Sequence, residues 1–276
     1  MLSIQPLDML KIYYEEECID FLFEEDILEE SLCLLCGSNV RREKKIFRCV
    51  NRVCRKTISI FADTFFAENR LNCSSVMLIG YYWLCGVNYT AIQSITGCSS
   101  NTIVKYMRMF RQLVINTLDD NDQKIGGDNV IVEIDESKFQ SRKGEDGIWV
   151  IGGVERTNDK KCFFKVVKQR DARTIDRVIQ RYVKRGSTII TDMWRGYGNI
   201  RSRYRHIRVN HGENFVDPVS GAHTNTIEGT WNGVKLKIQS RNRDEKFIDD
   251  YLLEFVWRRK NRDHLWRGLL DALRNE

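Results

Sequence analysis

The chain has 276 residues, enough for one large core and one or two small modules, and its 42% hydrophobic and 30% charged content is that of an ordinary folded protein, not a disordered one. No apolar run approaches the roughly 20 residues that span a bilayer, and the opening MLSIQPLDMLKIYYEEE has no basic stretch leading into an apolar core. Membrane insertion and secretion are therefore not expected, and an intracellular location is: the nucleus in a eukaryotic host, the cytoplasm otherwise.

The net charge of +6 is unevenly laid out, for residues 1–30 hold ten acidic side chains against Lys11. Their apolar positions (Leu7, Leu10, Tyr14, Phe21, Leu22, Ile27, Leu28) recur at helical spacing, which predicts an acidic helical segment over 1–31. Residues 32–66 form a short, turn-rich module with Gly37-Ser38-Asn39 between candidate strands. In it Cys33-Leu-Leu-Cys36 is followed, after twelve residues, by Cys49-Val-Asn-Arg-Val-Cys54. Two such pairs bring four thiolates to one tetrahedral ion, so a structural zinc ribbon is expected; so small a unit needs the metal to fold. Cys18, Cys73, Cys85, Cys98 and Cys162 lack ligand spacing and read as core residues. Residues 41–56 carry eight basic side chains against Glu43, so Arg41, Arg42, Lys44 and Lys45 are candidate DNA-phosphate contacts.

Residues 67–126 are predicted as a helical module. Val76–Leu84 and Tyr89–Ile95 form two helices, Gly97 ends the second, and Ser99-Ser100-Asn101 caps a third beginning near Thr102. A third helix carrying Thr102, Lys105, Tyr106 and Arg108 has the layout of a helix-turn-helix DNA reader; a plain helical connector is the other reading. The polar DDNDQKIGG, 119–127, is taken as a linker.

From residue 127 the pattern changes. Asn129–Asp135, Ile148–Val154 and Cys162–Val167 read as strands, and Arg173–Lys184 as a helix with Ile175, Val178, Ile179 and Val183 on one face. Thr188–Thr191 and His206–Val209 are further strands, and Thr224–Ile238 and Lys246–Leu270 two long helices. The order predicts an α/β domain over 127–276 with a mixed sheet flanked by helices, compatible with a ribonuclease-H-like core.

Three acids stand out by position: Asp135 closing NVIVEID, Asp192 closing STIITD, and Glu228 on the helix TNTIEGTWNGVKLKI. Carboxylates at strand ends and on a covering helix can converge on one cleft and hold two magnesium-class ions for phosphodiester chemistry. Taken singly each has a plainer role: a turn cap for Asp135, a helix cap for Asp192, a lysine partner for Glu228. Glu136 rivals Asp135 but points to the other face of the strand, while Glu133 shares its face and lies deeper. Asn225, Glu228 and Lys235 share one helix face, and His223 and Asn225 sit at the helix start.

The segments VEIDESKF, TDMWRGY and HIRVNHGENFVDPVSGAHTNTIEGTWNGVK, with the four-cysteine module before them, resemble Merlin-type transposases and their bacterial insertion-sequence relatives, from about residue 30 to about 262. The resemblance implies a ribonuclease-H-like domain with an Asp, Asp, Glu triad at Asp135, Asp192 and Glu228, the last two separated by 35 residues. It also implies two Mg²⁺ or Mn²⁺ ions, and Lys138 and Lys235 as accessory phosphate contacts. Some bacterial relatives use the asparagine of the HTN segment, which makes Asn225 a rival third residue. The implied activity is a transposase that binds terminal inverted repeats, cleaves and joins 3′-hydroxyl ends to target double-stranded DNA, and acts as a homodimer or higher homo-oligomer without a membrane partner. A catalytically idle, domesticated DNA-binding protein and a structure-specific nuclease or resolvase on the same fold are the alternatives.

Overall fold

The computed structural model describes residues 6–30, 32–67, 70–140, 146–210 and 223–276. The chain divides into two compact units, one of residues 1–114 with 261–276, the other of residues 115–260.

In the first unit the acidic segment forms two helices, α1 (Pro6–Tyr13) and α2 (Glu15–Glu24), separated at Tyr14, whose backbone is extended. A small antiparallel sheet follows: β1 (Val40–Glu43), β2 (Ile46–Cys49) and β3 (Thr57–Ser59). Then come α3 (Cys73–Leu84), α4 (Tyr89–Thr96) and α5 (Ser100–Asn116). The boundaries follow local chemistry. Asn88 caps α4 by accepting from the Ala91 N–H at 2.9 Å. Gly97, at φ 67°, supplies the left-handed residue that ends it. Ser99 Oγ then accepts from the Thr102 N–H at 3.2 Å to start α5. The helices pack through Phe110, whose ring would lie 2.8 Å from any Cβ at Gly80 of α3.

The N-terminus of α3 is capped from a distance. Asn72 makes no side-chain cap bond; instead the Glu15 carboxylate accepts from the N–H groups of Cys73 at 3.2 Å and Ser74 at 2.9 Å and pairs with Lys45 at 2.7 Å. Burial alone would raise the Glu15 carboxyl, but Lys45 and the Ser74 N–H outweigh it and hold it below the usual carboxylate range.

The second unit is built on a five-stranded sheet. After the two-residue β4 (Ile125–Gly126) come β5 (Ile131–Phe139), β6 (Ile148–Glu155) and β7 (Cys162–Val167), an antiparallel meander. Next are α6 (Ala172–Tyr182), β8 (Val183–Lys184), β9 (Thr188–Thr191) and β10 (Arg205–Arg208). The sheet order is β10-β9-β5-β6-β7, with β9 parallel to β5 and β10 parallel to β9. The helices α7 (Asn225–Lys237) and α8 (Ile248–Lys260) complete the unit. The last helix, α9 (Leu265–Arg274), belongs to the first unit. Helices cover both faces of the sheet. Val132, Ile134, Ile151 and Phe163 bury against Ile175 and Ile179 of α6, while Phe139, Val150 and Phe164 bury against Trp231 and Val234 of α7 and Leu252 of α8.

Three expectations need correction. Asp135 does not close its strand: β5 continues to Phe139, because Ser137 and Phe139 are buried on the same face as Asp135. Val183 is not helical. α6 stops at Tyr182, and Val183 pairs with Ile125 of β4, so part of the supposed linker is a strand. The segment 246–270 is two helices, not one, broken at residues 261–264.

Candidate active site and metal centre

Asp135 lies in the middle of the central strand, directly opposite Gly152 of β6. That glycine makes room for an aromatic neighbour: a Cβ there would meet the Trp231 ring at 2.6 Å. With the ring seated, Trp231 Nε1 donates to Asp135 Oδ2 at 3.1 Å. On the other side, β9 pairs in parallel with β5 so that Glu133 faces Ile190. The paired register ends there; Asp192 follows just past the end of β9, and its charge acts on Asp135. Asp192 Oδ1 also accepts from the Trp194 N–H at 2.9 Å, an Asx-type turn that directs the chain out of the sheet. Glu228 sits one turn before Trp231 on α7, and its Oε1 accepts from the Thr224 hydroxyl at 2.8 Å.

Asp192 and Glu228 both act electrostatically on Asp135. Burial, joined by repulsion from Asp192 and Glu228, pushes the Asp135 carboxyl up to about 6, against the hydrogen bonds from the Glu136 N–H and Trp231. Among the described residues, the triad oxygens do not all fall within 4.8 Å of one another. Hard carboxylate oxygens on Asp135, Asp192 and Glu228 are the donor type that suits a magnesium-class cation, which would offset the repulsion felt by Asp135.

The helix that carries Glu228 is anchored by a residue whose importance the sequence does not reveal. The N-cap residue of α7, Thr224, makes no side-chain cap bond, and the Asn225 N–H donates to His223 Nδ1 at 3.3 Å. The next two N–H groups, of Thr226 and Ile227, donate to Glu133 Oε2, each at 2.9 Å. Glu133 is fully buried and ion-paired to Arg156 at 2.5 Å, and Arg156 in turn donates to the His223 carbonyl at 2.6 Å. His223 thus stands beside Glu133, its Nδ1 3.6 Å from that carboxylate. Asn225, Glu228 and Lys235 are all exposed on α7.

The opposite face of β5 holds Glu136 and Lys138. Burial, with repulsion from Asp135 and Asp192, pushes the Glu136 carboxyl up to about 7 against the pull of Tyr197 and Arg170. Lys138 lies 5.7 Å over the Trp149 ring, and the Arg170 guanidinium stacks on both Trp149 at 4.1 Å and Trp194 at 4.7 Å. A cationic and aromatic surface therefore begins two residues after Asp192. The HGENFVDPVSGA part of the C-terminal motif lies outside the described residues.

In the first unit Cys33, Cys36, Cys49 and Cys54 form a group whose sulfurs all lie within 4.8 Å of one another. Cys33 and Cys54 are 3.7 Å apart, and Cys36 and Cys49 are 3.5 Å apart. A tetrahedral ion with bonds of about 2.3 Å to sulfur has edges of roughly 3.8 Å, so the donor set fits zinc. Hydrogen bonds from Ser38 pull the Cys36 thiol down to about 6, whereas burial pushes Cys49 up to about 12. Of the basic candidates here, Arg42 pairs with Asp20 at 2.7 Å and stacks on Phe23, and Lys45 pairs with Glu15. Arg41 and Lys44 are exposed, as are Lys105 and Arg108 of α5.

A comparison with known families matches residues 122–260 to the ISXO2-like transposase domain. No curated protein matches. A cryo-EM structure of the simian T-cell lymphotropic virus intasome in complex with PP2A regulatory subunit B56 gamma is similar at a TM-score of 0.34 and 13% identity, over 65% of this chain. The match spans 64% of the length of that chain, a likeness too slight to carry an argument.

Proposed function

The chain belongs to the family of ISXO2-like transposase domains, and from that premise we propose that it is a DNA transposase of the Merlin type whose catalytic residues are Asp135, Asp192 and Glu228. The observation that carries this assignment is that Asp135, in the middle of the central strand, is pushed up to about 6 by burial, with the charges of Asp192 and Glu228 adding to the effect. The strand order β10-β9-β5-β6-β7, antiparallel on one side and parallel on the other, supports a ribonuclease-H-like core. Two Mg²⁺ or Mn²⁺ ions held by the triad would activate the attacking oxygen and stabilise the leaving one. The protein's own groups do the positioning. Trp231 Nε1 orients Asp135, the Trp194 N–H orients Asp192, and Glu133 fixes the start of the helix that carries Glu228. Lys235, on the exposed face with Glu228, and Lys138 contact phosphate. Glu228 is preferred to Asn225 as third residue because a carboxylate supplies the negative charge and oxygen ligand that a divalent ion takes.

In this reading the zinc ribbon, 32–66, and the helical module, 67–126, recognise terminal inverted repeats, residues 127–276 carry the chemistry, and two copies pair two element ends. The protein acts in the nucleus of a eukaryotic host or in the cytoplasm otherwise. The test is strand cleavage by the purified chain with magnesium on a terminal-repeat duplex. Asp135→Asn and Asp192→Asn should each lose several kcal/mol of charge stabilisation, a rate loss of roughly a thousandfold or more, with DNA affinity unchanged. Undiminished cleavage by either variant removes that residue from the triad. Wild-type protein that binds but never cuts is instead an idle DNA-binding protein, and one that cuts branched DNA without joining ends is a resolvase.

A further inference from the structure

Residues 173–208 hold ten arginines and lysines against only Asp176 and Asp192, a local charge of +8 that exceeds the +6 of the whole chain. The fold gathers part of this run around a cavity of about 260 Å³ lined by Lys124, Arg181, Lys184, Arg185, Arg203 and Tyr204. Lys124 is half-buried and the other four cations are exposed. Tyr204 is fixed in the wall by its hydroxyl, which donates to the Val183 carbonyl at 2.9 Å. The acids along the same segments are already engaged: Asp120 pairs with Arg181 at 2.7 Å, Asp122 pairs with Lys260 at 2.7 Å, Asp119 accepts from the Asn121 and Asp122 N–H groups, Asp176 accepts from Gln180 at 2.6 Å, and Asp128 packs over Gly186. Among the described residues Lys124, Lys184, Arg185 and Arg203 have no carboxylate partner.

One cation here has a structural duty, since Arg181 in the last turn of α6 complements the helix dipole. The other four are more than that duty needs. They stand at the opposite end of β9 from Asp192: Lys184 and Arg185 precede the strand and Asp192 follows it, so the strand alone separates them by roughly 13 Å. Arg201 and Arg205 extend the positive surface beyond the cavity on either side of Arg203. A single small anion would leave most of this charge unmatched, whereas duplex DNA presents one charge per about 1.7 Å of axis.

We propose that this basic cleft is a second binding site for the phosphodiester backbone of duplex DNA, remote from the carboxylates, which holds a stretch of duplex away from the point of cutting. The proposal rests on the DNA-processing reading of the chain. Its test is fluorescence anisotropy of the full chain with a duplex of arbitrary sequence, titrated at increasing KCl. Each lost phosphate contact lowers the log–log salt slope by about 0.9, so the triple variant Lys184→Gln/Arg185→Gln/Arg203→Gln should lose roughly 2 to 3 in slope and about tenfold or more in affinity. Where thermal melting shows the triple variant misfolded, the single Lys184→Gln and Arg203→Gln variants should each lower the slope by about 1. Duplex binding by wild type with slope and affinity unchanged in the variants overturns the cleft and leaves the transposase reading standing. Absence of duplex binding by wild type overturns both. Calorimetry with inorganic phosphate at constant ionic strength should show no saturable binding. Saturable binding lost in the triple variant, with the DNA slope unmoved, makes the cleft a small-anion site and overturns the proposal.

Discussion

Residues 41–56 and residues 173–208 are both strongly basic, with eight cations against one acid in the first and ten against two in the second, yet the fold treats them differently. In the first, Arg42 meets Asp20, Lys45 meets Glu15 and Arg48 meets Glu43 at 2.7–2.8 Å. The acidic helices at the start of the chain thus answer part of the charge that follows them. In the second, among the described residues, only Arg181 has a carboxylate partner. A cationic stretch offers phosphate only those cations that no acid is folded onto, and that depends on what the chain brings opposite as well as on local charge density.

The largest lever on this contrast is the cysteine cluster that holds the first stretch in shape. On the reading that the four sulfurs hold one zinc ion, Cys49→Ala should abolish its binding and, with it, binding energy of about 10–16 kcal/mol, so that the sheet of residues 40–59 unfolds. Metal analysis and hydrogen exchange of the β1 and β2 amides measure this; protection that survives chelation contradicts it.

A smaller effect is expected from Glu15→Gln, which weakens the link between the basic stretch and α3. Loss of a charged cap costs about 1 kcal/mol. The pH dependence has a definite sign. The folded Glu15 carboxyl lies below its ordinary value of 4.5, so its stabilisation is complete above that pH and disappears as pH falls through the lower, folded value. Denaturant titrations of wild type and variant should therefore differ at neutral pH and converge in acid. A constant gap would mean that the charge is not what caps the helix.

The smallest change sharpens the comparison most directly. Asp20→Asn removes an exposed ion pair and should cost under about 1 kcal/mol of stability, while it frees Arg42 for phosphate and steepens the salt slope of duplex binding by about 0.9. An unchanged slope would show that Arg42 is turned away from DNA for reasons other than Asp20.

Much of this was legible in the residues. Alternation marked β6 and β7 closely, glycine marked the end of α4, and cysteine spacing marked the four sulfurs that the fold gathers. What escaped depends on partners far along the chain. The polar stretch Glu136-Ser137-Lys138 does not read as buried strand, yet β5 runs through it because α7 covers one face. Val183 fits the apolar stripe of α6 but is drawn into a strand by Ile125. Two helix N-termini, those of α3 and α7, are capped by Glu15 and Glu133, 58 and 93 residues away from the nearest N–H they serve. No local rule finds such caps, although an acid set among apolar strand residues, as in NVIVEID, is a signal that something must neutralise it. The charge of residues 173–208 was visible in composition; its meaning needed the cavity.

The anchoring of α7 on Glu133 has a mechanical corollary. The strand that bears Asp135 and the helix that bears Glu228 are joined by a buried carboxylate that binds both the helix backbone and Arg156. Neither element can slide or tilt without dragging the other, so they form a single stiff jaw. On the Asp192 side the chain instead leaves the sheet through a turn and short 3₁₀ segments at Arg195–Tyr197 and Ile200–Ser202.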